Sequence, residues 1–540
     1  MLGKKDYQEK LFLSFSLSDR IPENNFYRRL KSVIDFQFVR NMARPYYGNE
    51  GQKSIDPTVF FRLMLVGYLE NIVSDRQLIG HVSMRLDLLY FIDYDIDEAL
   101  PWHSTLSRTR NLLPNAIFEE AFDRVLGMCI ESGLVSGHTQ SIDSAYVKAN
   151  ASLDSLEVKH PGETLKNHIE KVRNENDNNP ESGSDQNEGP GRKAKMDHST
   201  PEQRTNQSTP GQLKDLDRHQ EWFKNKEGGP LGSKNTKARY LSNKTHYSPV
   251  DPDARIAVKP GKPRQMYYMS SMSVDTSNHV ITNIRANFAD RKDSMYLIDL
   301  ARMTRSRLSK NGLRMDTLLA DAGYSNGENY RYLEENQIVG FIPPHGQYEG
   351  TREGFIYEPD HDRWRCRQGK YVNFKAVKYQ KNHPEKRYRT TRADCKGCPL
   401  ATECIGRSHE KHIRITVYKQ EYDRALIRSK TKKVKYYKTL RQSTVEPVFG
   451  SLINFTGMRK INTRGIESAN KVMLMAAIAY NLKKLLKYNT CKRSVKVLSG
   501  LIRAYNGIIL YLKETISVGI EAFLVKMEQG GIKYAITQLI

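Results

Sequence analysis

The chain has 540 residues, a formal net charge of +24 and a hydrophobic fraction of only 38%, which is length for about three to four structural units but too polar for one uninterrupted body, so polar or partly disordered insertions are expected. A pI near 9.5 with a mean hydropathy of −0.65 points to a polyanionic partner. No apolar run approaches the roughly 18 residues of a membrane span, and Met1-Leu2-Gly3-Lys4-Lys5 opens a charged segment, not a secretory signal. Membrane and secreted classes are thereby excluded, the expected location is cytoplasmic, and the six cysteines should be reduced unless they bind metal. The charge is also localised: Lys411 to Arg493 holds 20 Lys and Arg against 4 Asp and Glu, so +16 of the +24 lies in 83 residues. Such a concentration favours nucleic acid over a merely solvated basic face.

Residues 1–136 read as helical. Asp56-Pro57 offers an N-cap followed by proline at the first helical position, and Phe60, Leu63, Met64, Gly67 and Tyr68 recur at helical spacing. Ser74-Asp75-Arg76-Gln77 has a capping-box pattern, and periodic segments follow at Ser104–Asn111 and Ile117–Ser132. Short helices with tight turns suit either a helix-turn-helix unit that binds DNA ends or a plain bundle.

At His138–Asn150 the period changes to that of a strand, with Asp143 pointing to one face. Residues 151–246 then turn rich in Asn, Asp, Ser, Gly, Pro and Lys, an insertion that reads as mobile. After it, Lys259, Lys262 and Arg264 form a basic loop that either touches phosphate or faces solvent. Strands are expected over Gln265–Val274 and His279–Asn287, joined as a hairpin through Asp275-Thr276-Ser277-Asn278. Asp293 reads as the cap of a helix over Ser294–Leu308 with Leu297, Leu300 and Ala301 inward. A buried strand then runs into Asp321, followed by a helix over Asn326–Gln337 and a strand over Ile338–Pro343. This order predicts an α/β mixed sheet flanked by helices, across residues 137–344 and closed by 413–490. A carboxylate at the exit of an apolar strand is costly unless it is paired, caps a turn or binds a cation.

Between them lies a Cys-rich insertion, 345–412, with Cys366, Cys395, Cys398 and Cys404. Four thiolates can close a structural Zn2+ site, and the two-residue gap of Cys395-Lys396-Gly397-Cys398 is usual for one; a reduced cluster without metal is the alternative. Glu446 precedes Pro447 and is expected in the first turn of a helix capped by Ser443 or Thr444. A helix over Glu467–Leu486 should bury Val472, Met475, Ala476, Ala479, Leu482 and Leu486, and a tail over 491–540 reads as short helices.

Three stretches, Ser141–Ala151, Leu318–Leu333 and Arg441–Gly450, together resemble a DDE-type transposase of a bacterial insertion sequence. The resemblance runs over roughly 50–490 outside the middle insertion. It implies a ribonuclease-H-like catalytic domain, with Asp143, Asp321 and Glu446 as catalytic residues and as ligands of Mg2+ or Mn2+. It also implies double-stranded DNA, both element ends and target, as partner, strand transfer as activity, and a homodimer or higher assembly on DNA. Arg441 falls on the family's basic residue five before the glutamate. The lysine that many relatives carry seven residues after the glutamate is here Ile453, which leaves Arg459 or Lys460 to take up DNA contact, with Lys432, Lys433 and Lys435 upstream. Independently of the family, phosphodiester chemistry needs an activated oxygen and a stabilised leaving oxygen, which divalent cations held by carboxylates provide. A metal-dependent nuclease without strand transfer, or a non-catalytic DNA-binding protein derived from a transposase, would share most of these features.

Overall fold

Caps start the N-terminal helices where the sequence places them. Asp56 accepts the Thr58 N–H at 2.7 Å with Pro57 in the first helical position, and the Ser74 hydroxyl accepts the Gln77 N–H at 3.4 Å. The computed structural model describes residues 16–158 except 49 and 51–53, 242–258 except 244 and 245, 264–380 except 347 and 349, and 383–490. Eight described α-helices precede the first strand: α1 (Leu17–Arg20), α2 (Phe26–Val33), α3 (Gln37–Ala43), α4 (Pro57–Leu69), α5 (Asp75–Ser83), α6 (Leu86–Ile92), α7 (His103–Leu112) and α8 (Asn115–Glu131). Every residue of α4 is buried, which makes it the centre of this region. The Phe61 ring packs 5.8 Å from Phe36 and 5.0 Å from Phe118.

The first sheet is built from β1 (Thr139–Lys148), β4 (Arg255–Ala257), β5 (Gln265–Asp275), β6 (Ile281–Phe288), β7 (Thr317–Leu319) and β8 (Val339–Phe341). Its order is β4-β5-β1-β7-β8, with β6 also paired to β5. β1 runs antiparallel to β5 and parallel to β7, and β7 is parallel to β8, so the sheet is mixed. β5 is buried in all but its first residue, as a central strand covered on both faces should be. The expected hairpin is β5 and β6, antiparallel in register. Helices α9 (Leu297–Lys310) and α10 (Gly327–Glu335) stand between the later strands. Arg307 of α9 ties the helical region to this layer: its Nε lies 2.6 Å from Asp123, and it also pairs with Glu119.

Several expectations need correction. Asp293 is not a helix cap: it opens a 3-10 turn, Asp293–Met295, whose N-cap is Lys292, and α9 begins only at Leu297. The polar insertion is ordered at both ends, where β2 (Glu157–Val158) pairs antiparallel with β3 (His246–Tyr247); its middle, 159–241, lies outside the described residues. So do Lys259, Lys262 and the tail 491–540.

Sequence reasoning gave the Cys-rich stretch no fold. It is a five-stranded antiparallel meander of β9 (Phe355–Glu358), β10 (Arg363–Cys366), β11 (Tyr371–Gln380), β12 (His383–Arg389) and β13 (His412–Thr416). Its buried core is small, Trp364, Val372, Tyr388 and Ile413. The helices α11 (Arg392–Cys395) and α12 (Ala401–Cys404) sit between β12 and β13. α13 (Lys419–Ser429) and α14 (Lys432–Phe455) follow, and α15 spans 466–490. Val472, Met475, Ala476, Ala479 and Leu482 of α15 are buried as expected. The chain divides into units 1–482 and 483–540; in the second only 483–490 are described, and they are helical. No helix among the described residues is long and apolar enough to cross a membrane.

Glu446 is not in a first turn. α14 begins at Lys432 and runs on through Pro447 to Phe455, so Glu446 sits in mid-helix. Proline removes one backbone donor and crowds the Ser443 carbonyl. The hydroxyls of Ser443 and Thr444 do not cap a helix; both bond back to the Leu440 carbonyl, at 3.0 and 2.7 Å.

Candidate active site

Two carboxylates are brought near one another by the pairing of parallel strands. β1 and β7 are parallel neighbours with Ser141 opposite Leu319; Asp143 lies two residues past the first and Asp321 two past the second. Residues spaced by two project to one face of a strand. The two groups interact: burial is the largest influence on the Asp143 carboxyl and raises it above its ordinary value, Arg441 and the Ser144 N–H pull it down, and the charge of Asp321 pushes it up again. Asp143 accepts from the Ser144 N–H at 2.8 Å and from Arg441 Nη1 at 2.9 Å.

Asp321 caps the 3-10 turn Ala322–Tyr324, accepting the Gly323 N–H at 2.9 Å. A side chain at Gly323 would crowd this arrangement, since its Cβ would stand 3.0 Å from Asp321 Oδ1 and 3.5 Å from Asp293 Oδ2. Asp293 is therefore a third carboxylate at this corner, with Asp143 and Asp321. Tyr324, three residues after Asp321, is fully buried, and its hydroxyl meets Ser144 Oγ at 2.6 Å. Ser144 Oγ in turn lies 2.9 Å from Ser271 Oγ, which accepts from Asn287 Nδ2 at 2.9 Å. This chain of hydroxyls joins the Asp321 turn to the strand of Asp143. Burial holds the phenol well above its ordinary pKa, so it stays protonated. Sequence reading missed Tyr324 and Asp293; the aromatic following the aspartate in Asp321-Ala322-Gly323-Tyr324 was the available signal.

Glu446 approaches from α14. It is exposed, and with Asp143 it lines a cleft of about 260 Å³ that also touches Ser144, Ala145, Tyr146, Tyr267, Phe449 and Ile453. Ile453, two helical turns after Glu446, lines the same cleft. Asp143 is thus the shared member, coupled to Asp321 on one side and facing Glu446 across the cleft on the other. Asp321 does not line that cleft. Among the described residues no group of three or more His, Cys, Asp or Glu could hold a metal ion as it stands. The donor chemistry fits a hard cation, because the acidic groups lining the cleft are carboxylates with no thiol or imidazole beside them.

The basic residues fall around this centre. Lys432, Lys433 and Lys435 are exposed on the first turn of α14, and Arg441 farther along the same helix reaches Asp143. Arg459 and Lys460 are exposed beyond its end. Lys460 pairs with Lys148 at the end of β1, where the Ile461 N–H donates to the Lys148 carbonyl at 2.8 Å. Asn71, left-handed with φ 59°, accepts the Gly457 N–H at 2.8 Å and donates to the Asn454 carbonyl at 3.2 Å. The helical region is thereby fastened to the C-terminal end of α14. Arg264 is half-buried just before β5.

The four cysteines of the second sheet are half-buried and unpaired. Together they line one cavity of about 30 Å³ with Thr390 and Lys411 among its walls.

Residues 15–112 match the family model described as Transposase domain (DUF772), and residues 365–486 match the one described as Transposase DDE domain. The second span contains Arg441, Glu446 and the four cysteines, while Asp143 and Asp321 lie outside both. No curated protein matches the chain. One transposase model over its N-terminal helices and a second over the helix that carries Glu446 together support a DDE-type transposase of an insertion element.

Proposed function

We propose that this DNA transposase binds the terminal inverted repeats of its element, hydrolyses phosphodiesters at the ends and joins the freed 3′ hydroxyls to target DNA, with Asp143, Asp321 and Glu446 as its catalytic carboxylates. The observation that carries this is that Asp143 lies on β1 and Asp321 two residues past the end of its parallel neighbour β7, where their charges interact, with Glu446 lining the same cleft as Asp143. A mixed sheet whose neighbouring strands deliver these two groups supports the ribonuclease-H-like reading of the catalytic domain.

Asp143, Asp321 and Glu446 would hold Mg2+ or Mn2+, which when bound activates the attacking oxygen and stabilises the leaving one. The remaining work belongs to the chain. Arg441 offsets the charge of Asp143, since two adjacent carboxylates otherwise repel. Tyr324 and Ser144 hold the two aspartates in fixed relation. Lys432, Lys433, Lys435, Arg459 and Lys460 offer phosphate contacts that position the duplex without reading its sequence. The N-terminal helices supply end recognition, and two or more copies act together on paired ends in the cytoplasm.

The deciding experiment incubates the purified chain with Mg2+, a labelled duplex carrying the inverted repeat that flanks its gene, and a target plasmid. Cleavage at the repeat and a joined product are expected, both absent when any of the three carboxylates is alanine. Full cleavage by one of those variants would overturn the assignment, and cutting without joining would make the protein a nuclease.

A further inference from the structure

Residues 391–410 are folded without a core of their own. None of the 20 is buried, and the two helices within the loop have four residues each, far below the length at which a helix holds by itself. The buried cluster of the sheet, Trp364, Val372, Tyr388 and Ile413, comes entirely from its strands. The loop is nevertheless ordered in detail. Thr391 and Asp394 form a reciprocal capping box, with Asp394 N–H to Thr391 Oγ1 at 3.3 Å and Thr391 N–H to Asp394 Oδ2 at 2.9 Å. Gly397 and Gly406 take the positive φ values, 72° and 54°, of its turns. Ordering costs on the order of 1–2 kcal/mol of backbone entropy per residue, and apolar burial here offsets little of it. Small structures with this deficit are held by disulfides or by a metal.

We propose that Cys366, Cys395, Cys398 and Cys404 bind one Zn2+ as a tetrahedral tetrathiolate, stapling the 391–410 loop to the end of β10. All four line a single cavity of about 30 Å³, room for one ion or one water, and none is in a disulfide. Cys366 is the last residue of β10, whereas the other three belong to the loop, so the ion would join the part that has a core to the part that lacks one. The surrounding shell is the kind that orients thiolates. Thr390 Oγ1 lies 3.2 Å from Cys395 Sγ and is itself fixed by the Lys411 N–H at 2.9 Å. Lys411 Nζ donates to the Cys404 carbonyl at 2.7 Å, which keeps a cation beside the cluster. On binding, the four thiols release their protons and the Zn2+ tetrathiolate carries a charge of −2, which Lys411 partly offsets. The side chains as they stand do not close on a metal; the short helices, having no buried anchor, are the parts that draw in. The reading is independent of the transposase chemistry, because zinc is measured without DNA.

The test is metal analysis of the purified full-length chain. One zinc per chain is expected, released by a mercurial reagent that caps thiols, and replacement by Co2+ should give the intense visible absorption of tetrahedral cobalt thiolate. Cys398→Ser and Cys404→Ser should each lose the zinc. Because either variant can misfold for unrelated reasons, the wild-type chain is also treated with a chelator and digested briefly with trypsin. Cleavage after Arg392, Lys396 or Arg407 should appear on zinc removal and be suppressed again when Zn2+ is restored. A chain that purifies without zinc, fails to develop the cobalt spectrum and resists trypsin at those sites with or without chelator overturns the proposal.

Discussion

In the first sheet Asp143 leaves a strand held between two neighbours and faces a helix, and the strand beside it, β5, is buried almost end to end. In the second sheet Cys366 ends a short strand, and its three companions lie on a loop in which nothing is buried. Strand register inside a large core places the carboxylates. Chain connectivity alone cannot place four thiols on a loop so thinly packed. The carboxylate pair is held by the apolar burial around its strands, whereas the cysteine group has little burial around it, and the proposed ion would supply the order that packing does not.

The largest effect that would test this contrast is at the carboxylates. Asp143→Ala, Asp321→Ala and Glu446→Ala should each lower metal-dependent cleavage by about a thousandfold or more, on the scale of losing a principal charge-stabilising group, while duplex affinity and the melting profile change little. Gel-shift and melting measurements on the same variants check it; a collapsed fold in Asp143→Ala would mean the carboxylate is structural and the contrast fails. Next comes Tyr324→Phe, which removes only the hydroxyl that meets Ser144 at 2.6 Å. It should raise the Mg2+ concentration for half-maximal cleavage by about 10–100-fold, as loss of a supporting partner typically does. A melting point that drops with no change in metal dependence would assign Tyr324 to packing alone.

A smaller effect is expected on the basic helix. Replacing Lys432, Lys433 and Lys435 with glutamine should weaken binding to all duplex sequences and flatten the salt dependence by up to about one unit of slope per lost phosphate contact. Titrations at several salt concentrations decide this, an unchanged slope meaning that these side chains face only solvent. The smallest effect is a slope in stability. Burial pushes Lys471, whose Nζ donates to the Arg110 carbonyl at 2.9 Å, down from 10.5 to about 8. Between those values the unfolded chain binds more protons than the folded one, so stability should rise as pH rises from about 8. The ceiling is on the order of 3 kcal/mol. Melts of Lys471→Met across the alkaline range should lack that rise; an identical profile would mean the amine is hydrated in the folded chain.

Much of this was legible in residues alone, and the reasons are local. Asp56-Pro57 and Ser74 start helices because capping needs only a few neighbouring atoms. The β5 and β6 hairpin follows from alternation and a polar turn. Asp321 at a strand exit is costly enough to mark itself. Where neighbours gave the wrong answer, longer-range packing had overruled them. Pro447 reads as a helix start, yet α14 continues through it because Thr444, Val445, Val448, Phe449 and Leu452 on either side are all buried. The second sheet escaped detection because its strands carry arginine, lysine and exposed aromatics around only four buried side chains, which leaves little periodicity to read.

The sequence by itself determined the chemical types present, namely carboxylates on or just past strands, a basic C-terminal segment and a cysteine group, because each follows from residues within a few positions of one another. Only the tertiary structure decided how they meet. The parallel pairing of β1 with β7 brings Asp143 within reach of the charge of Asp321 across 178 residues of chain, the Tyr324 hydroxyl finds Ser144 across 180, and Arg441 reaches Asp143 across 298. Contacts at such separations are fixed by which strands pair and which faces are buried, and no local pattern carries that information.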